Sequence, residues 1–103
     1  MWLFTKDAFL SIVADKDNPD AGDLLVRARR RDHIPNVFPD ASVFSEAGSD
    51  YAYRAWVPRE EVKQALEKQI DELNYTNFKN AIDDNDYHNA AINVWFAMYQ
   101  FQR

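Results

Sequence analysis

The stretch that decides the fold class is Tyr51-Ala52-Tyr53-Arg54-Ala55-Trp56-Val57-Pro58, which runs directly into a helical pattern that ends near Leu73. Up to Val57 the pattern alternates, with the odd-numbered residues on one face and Ala52, Arg54 and Trp56 on the other, as in a half-buried strand. Beyond Pro58, which suits the first helical position, four apolar residues follow helical spacing. They are Val62, Leu66, Ile70 and Leu73. A strand followed at once by an amphipathic helix predicts an α+β fold.

Further strand patterns lie upstream of this stretch. Trp2–Thr5 and Phe9–Val13 predict a hairpin, and Ser42–Ser45 predicts a second hairpin with residues 51–57. Residues 24–29 alternate, which places Leu24, Val26 and Ala28 on one face and Leu25, Arg27 and Arg29 on the other. Residues 15–22 are rich in turn formers and predict an exposed loop, and a brief helix is expected near Pro35.

Helices dominate the C-terminal third. Thr76 is expected to cap a short helix, and the acidic run Asp83–Asp86 is expected to end it and cap the next. From Tyr87 onward one stripe contains Ala91, Val94, Trp95 and Met98, and a second apolar set widens it nearly all the way round. That set is Ile92, Phe96, Tyr99 and Phe101.

We therefore predict a single α+β domain over residues 1–103. Its antiparallel sheet is expected to have four to five strands with C-terminal helices packed on one face, and a ferredoxin-like arrangement is one hypothesis for it. Because Met1–Thr5 and Trp95–Phe101 are both strongly apolar, we expect both terminal segments to be buried and the domain to be complete.

Composition restricts the class of protein. The net charge of −5 disfavours general nucleic-acid binding through phosphate neutralisation. Cysteine is absent, which excludes disulfides and thiolate chemistry and fits a cytoplasmic location. The opening apolar run is too short for a signal sequence or a membrane span, so we expect no membrane association.

No catalytic or metal-binding constellation is evident. His33 and His88 are far apart in sequence, and the acids near His88 lack the spacing of a calcium loop. The two glycines, Gly22 and Gly48, cannot form a glycine-rich phosphate loop. We therefore expect no metal, no cofactor and no assembled catalytic set, and an activity other than catalysis is favoured.

Two candidate ligand sites and one candidate interface remain. Arg27, Arg29, Arg54 and Trp56 could share one sheet face and hold an anion, although arginines paired with nearby acids explain the same pattern. Tyr75, Asn77 and Lys79 lie at a predicted helix N-terminus, where capping is the competing explanation. The candidate interface is on the last helix, at Trp95, Phe96, Tyr99 and Phe101.

Several of these pieces resemble, in their combined order, a group of small bacterial proteins described as hypothetical. The resemblance rests on Met1–Thr5, Phe9–Val13, Val26–Arg29, Asp50–Arg54, Tyr75–Lys79 and Val94–Tyr99. It spans nearly the whole chain and implies one compact domain. It implies no activity and no site residues.

Three functions follow as hypotheses. The first is a non-catalytic protein-interaction module that forms a homodimer or binds another protein through its last helix. The second is a phage-type inhibitor of a bacterial defence system, whose acidic surface mimics nucleic acid. The third is a small anionic-ligand-binding protein or enzyme that uses Arg27, Arg29 and Arg54.

Overall fold

The computed structural model describes residues 1–102 and shows two compact units, Met1–Leu73 and a second that begins at Asn74. The expectation of a single domain stays a prediction, and each unit is described by itself. Strands and short helices make up the first unit. They are β1 (Trp2–Thr5), β2 (Ala8–Ala14), β3 (Asp23–Ala28), α1 (His33–Val37), β4 (Phe44–Ser45), β5 (Tyr53–Pro58) and α2 (Arg59–Asp71).

The five strands form one antiparallel sheet in the order β1-β2-β3-β5-β4. This confirms the α+β class and both predicted hairpins. The register places Trp2 opposite Ser11 and Arg27 opposite both Ser11 and Arg54. The element order β-β-β-α-β-β-α differs from the β-α-β-β-α-β order of ferredoxin-like folds, so that hypothesis gains no support.

One face of the sheet carries the hydrophobic core, with α1 and α2 against it. The alternation in β2 and β3 sends Leu10, Ile12 and Val26 to this face, where each is at most 4% exposed. Ile34 of α1 and Val62 of α2 complete the cluster. Helix α1 tolerates Pro35 because this residue lies in the first turn, where the backbone N–H groups have no intrahelical acceptor.

The helix α2 follows β5 without a connecting loop. The Arg59 amide donates a hydrogen bond of 2.6 Å to the Gly22 carbonyl, which ties the start of α2 to the end of the loop before β3. The predicted apolar stripe is only half buried. Val62 packs into the core, whereas Ile70 in the last turn of α2 is 69% exposed, and Leu73, which lies beyond the end of the helix, is 50% exposed.

Two burial predictions are wrong. Trp2 begins a strand as expected but is 67% exposed, because its side chain lies on the face opposite the core. The C-terminal segment is also exposed, as described below.

The predicted alternation is wrong at Tyr51, which does not share a face with Tyr53. Strand β5 begins at Tyr53, and Tyr51 lies in the preceding bend with its ring near Phe9 and Arg27.

The second unit contains α3 (Phe78–Ala81) and α4 (Asn85–Phe101). The α4 cap comes from the predicted acidic run, since the Asp84 carboxylate accepts a hydrogen bond of 2.8 Å from the Tyr87 amide. The α3 cap is Asn77 and not Thr76, because the Asn77 side chain accepts a hydrogen bond of 3.2 Å from the Asn80 amide. No helix within residues 1–102 has both the length and the apolar character needed to cross a membrane.

Candidate functional site

The sheet face opposite the core, here called the second face, is aromatic and cationic. Side chains alternate between the two faces along each strand, and the register brings one set of them together on the second face. They are Trp2, Phe4, Phe9, Ser11, Val13, Leu25, Arg27, Phe44, Arg54 and Trp56. A solvated sheet face usually carries mainly polar residues, so this composition is a departure that requires an explanation.

The Tyr51 ring contacts two of the arginines at the second face. Its residue is only 3% exposed, and the guanidinium carbons of Arg27 and Arg29 lie 4.7 and 4.3 Å from the centre of its ring. Phe9 lies 6.5 Å from the same ring and stacks on Phe4 at 4.5 Å. Cation–π and aromatic contacts of this kind restrain both arginines without neutralising their charge.

Arg27 is held in place but has no acid partner among residues 1–102. Its Nη2 donates a hydrogen bond of 2.7 Å to the Ser11 hydroxyl, while its Nε is buried without an acceptor. No carboxylate within residues 1–102 forms a salt bridge with it. A buried, unsatisfied N–H group reduces stability, so the burial of Arg27 Nε opposes folding.

Arg54 and Arg29 differ from Arg27 in their partners. Arg54 Nε lies 2.9 Å from a Glu46 carboxylate oxygen and donates a hydrogen bond of 3.3 Å to the Tyr51 carbonyl. The Arg54 side chain is 16% exposed, and Asp50 lies 4.0 Å from its Nη2. Arg29 is exposed and donates a hydrogen bond of 2.6 Å to the Asp50 carbonyl. The acid pairing considered as the alternative explanation therefore holds for Arg54.

A pocket of about 420 Å³ lies on the second face. It brings together three of the four predicted residues, Arg27, Arg54 and Trp56, and leaves Arg29 outside its lining. Phe44, Val13 and Leu25 supply apolar walls. The remaining charged residues of the lining are Asp15, Lys16, Asp17 and Glu46, so the acids and bases around the pocket are equal in number.

Sequence reasoning missed Ser11, Phe44 and Tyr51. Ser11 lies in phase with Phe9 and Val13, and the strand alternation could have placed it on the same face as Arg27. Phe44 pairs with Arg54 across the second hairpin, which the predicted strands could also have indicated. Tyr51 had no such signal, since its alternation with Tyr53 predicted the opposite face.

The Tyr75–Lys79 candidate belongs to the second unit and serves its local structure. The Tyr75 ring lies 5.9 Å from Phe78, and Asn77 caps α3. The Lys79 ammonium lies 5.1 Å from the centre of the Trp95 ring, and the Lys79 carbonyl accepts a hydrogen bond of 2.6 Å from His88 Nδ1. Helix α3 has four residues, which is too short for an N-terminal anion site.

The predicted interface residues are all exposed. Trp95 is 51%, Phe96 55%, Tyr99 57% and Phe101 75% exposed, and the rings of Trp95 and Tyr99 stack at 5.5 Å. Val94 and Met98, expected on the buried stripe, are 37% and 59% exposed, so only Ala91 of that stripe is buried. The candidate interface is therefore wider than the four residues predicted for it.

Potential metal ligands do not cluster, since residues 1–102 contain no group of three or more His, Cys, Asp or Glu side chains arranged to hold a metal ion. A shallower pocket of about 330 Å³ lies between α2 and the segment after α1, lined in part by Phe38, Asp40 and Lys68. It contains no cluster of groups suited to catalysis. No protein-family model, no curated protein and no solved structure matches this chain.

Proposed function

We propose that this protein is a non-catalytic protein-interaction module that associates through the C-terminal part of α4, residues 92–101. One observation carries the proposal: no residue of this segment is buried, although seven of its ten residues are large and apolar. They are Ile92, Val94, Trp95, Phe96, Met98, Tyr99 and Phe101.

The distribution of these side chains around the helix supports association. At 100° per residue, Val94, Trp95 and Phe96 project at 0°, 100° and 200°, so the large apolar side chains cover more than half of the circumference of α4. An apolar surface that covers more than half of a helix is wider than the single stripe of a solvent-exposed helix and is typical of a helix contacted by other protein on more than one side. The exposed area around Trp95 and Phe101 therefore favours a protein contact over a solvated surface.

A second copy of the chain is the partner that this surface suits. Residues 89–101 contain no Asp, Glu, Lys or Arg, so two copies can meet along α4 without burying like charges. Elsewhere the net charge of −5 makes two copies repel each other. Association should therefore strengthen as salt screens this repulsion.

Analytical ultracentrifugation across micromolar to millimolar protein concentrations tests the proposal. We expect a reversible dimer, strengthened by salt, whose dissociation constant rises about 30-fold or more in Phe101→Glu, since loss of one large apolar contact costs about 2 kcal/mol. Ile70→Glu is the matched control, because Ile70 is 69% exposed on a different helix.

Two results would contradict the proposal. The first is a monomer at every concentration and salt level. The second is a dimer that Ile70→Glu weakens as much as Phe101→Glu does, since this would place the contact outside residues 92–101. Circular dichroism of each variant confirms that the folded state is retained, which separates loss of association from loss of structure.

A further inference from the structure

We propose that the pocket on the second face binds a small, planar aromatic monocarboxylate. The ligand carboxylate would pair with Arg27, and its ring would lie against Trp56 and Phe44. The site lies entirely within the first unit, and the inference does not depend on the association proposed for α4.

Arg27 is the cation of this pocket that is half-buried and held in place, whereas Lys16 is exposed to solvent. Arg54 already lies 2.9 Å from the Glu46 carboxylate, so its charge is largely compensated within the protein. Within residues 1–102 Arg27 has no salt-bridge partner, and its hydrogen bond to Ser11 uses Nη2 alone. Within residues 1–102 its Nη1 forms no hydrogen bond and, unlike Nε, is not fully buried, so it can donate to an incoming carboxylate.

The guanidinium of Arg27 is already ordered before a ligand arrives. The Ser11 hydroxyl accepts from Nη2 at 2.7 Å, and the Tyr51 ring lies 4.7 Å from the guanidinium carbon. Fixing a long side chain normally opposes binding, because rotamer freedom is lost. Here folding has already restrained that side chain, so more of the interaction with a carboxylate appears as affinity.

The walls of the pocket favour an aromatic body. Trp56 is 45% and Phe44 40% exposed, which leaves ring surface available for stacking. Val13 and Leu25 are half-buried and add apolar contact. A volume of about 420 Å³ lies in the range of small-molecule sites and is sufficient for a bicyclic ring system.

The acids around the pocket restrict the ligand to a low charge. Asp15, Asp17 and Glu46 belong to the same lining as Arg27 and Lys16. A nucleoside triphosphate or another polyanion would bring several negative charges close to these carboxylates, which is unfavourable. A single carboxylate can pair with Arg27 while the acids remain solvated, so the lining selects a monoanion.

An NMR titration of the full chain with indole-3-carboxylate tests the inference. We expect saturable shifts at the Trp56 indole N–H and at the backbone amides of residues 13, 25 and 27. Indole-3-carboxamide, which has the same shape without the charge, should bind at least about tenfold more weakly. ATP, used as a polyanionic probe, should produce no saturable shift at these positions.

Two matched variants assign the carboxylate to one arginine. Arg27→Gln and Arg29→Gln each remove one guanidinium from the Tyr51 ring, but only Arg27 lines the pocket. We expect Arg27→Gln to weaken indole-3-carboxylate binding about tenfold or more, and Arg29→Gln to leave it unchanged. Trp56→Ala, at a half-exposed position, should also weaken it and guards against a folding defect in Arg27→Gln.

Four outcomes would overturn the inference. They are the absence of saturable shifts with millimolar indole-3-carboxylate, equal binding of the carboxamide, tighter binding of ATP, and an equal loss in Arg29→Gln. Each of the first three removes a distinct claim, namely the site itself, the role of the charge and the selection of a monoanion. The fourth removes the assignment to Arg27.

Discussion

Replacement of Tyr51 by leucine should destabilise the protein far more than a loop substitution ordinarily does. Tyr51 lies outside the strands, yet its ring is buried and contacts Arg27, Arg29 and Phe9. Leucine can occupy part of the ring volume but has no π-face. Tyr51→Leu therefore removes both cation–π contacts and the contact with Phe9 at once.

The magnitude follows from these contacts. Each cation–π contact contributes about 0.5–1 kcal/mol at a site open to solvent, and the aromatic pair contributes about 0.5–1.5 kcal/mol beyond its buried area. We therefore expect the free energy of unfolding to fall by about 2 kcal/mol in Tyr51→Leu. The midpoint of thermal unfolding should fall by about 10 °C, as expected for a domain of this size.

Urea denaturation followed by circular dichroism measures this loss. Tyr51→Phe is the matched control, because phenylalanine keeps the ring and no hydrogen bond from the Tyr51 hydroxyl is present within residues 1–102. Its free energy of unfolding should stay within about 0.5 kcal/mol of the original protein. The reasoning is refuted if Tyr51→Phe and Tyr51→Leu are equally destabilising, or if Arg29→Gln shows no coupling to Tyr51→Leu in a double-mutant cycle.

Three further predictions, two of them with a control substitution, test the fold by chemical denaturation. Leu10→Ala should cost about 2–5 kcal/mol, because Leu10 is fully buried in the core; a smaller loss would mean that the core face is misassigned. Gly48→Ala should destabilise the protein by about 1 kcal/mol, since Gly48 has a φ of +82°, which alanine rarely adopts. Gly22→Ala is the control and should be neutral or stabilising. Equal effects of the two substitutions would contradict this backbone assignment. Asp84→Ala should cost about 1 kcal/mol by removing the α4 cap, and its neighbour Asp83→Ala should not.

In the first unit, the alternation of apolar and polar residues along the strands predicted which face of the sheet most residues occupy. The pattern in residues 24–29 assigned Val26 to the core and Arg27 to the opposite face, and the sheet confirms both positions. The same logic failed at Tyr51, because it assumes that the strand extends through residues 51 and 52. Alternation determines which face a residue occupies only where the chain is actually extended.

Helical periodicity predicted which residues lie on the same face of a helix. It did not predict how much of that face the hydrophobic core covers. Ile70 follows the stripe begun by Val62, yet the core cluster ends before it. Capping chemistry had a similar limit, since Thr76 and Asn77 are adjacent and both are good caps, and only backbone geometry distinguishes them. In α4 the width of the apolar surface was predictable, whereas the exposure of Val94 and Met98 was not.

The candidate site depends on contacts distant in sequence. Arg27, Arg54 and Trp56 could be placed on one face from their own strands, and the pocket does contain all three. Glu46 pairs with Arg54, whereas Arg27 has no acid partner in the part of the chain that the structure describes. This could not be predicted, because residues 46–52 form a loop whose path no periodicity specifies. The acidic-surface hypothesis of a defence inhibitor stays a prediction.

The order of the strands has a kinetic consequence. Three of the four pairings join strands that follow each other in the chain, whereas β3 and β5 are separated by residues 29–52. Closing that longer connection costs more chain entropy than closing any of the other three pairings, so the β3–β5 pairing should form last. Substitutions at Val26 and Ala55 in this pair should then change the unfolding rate more than the folding rate. The β1–β2 hairpin should behave in the opposite way.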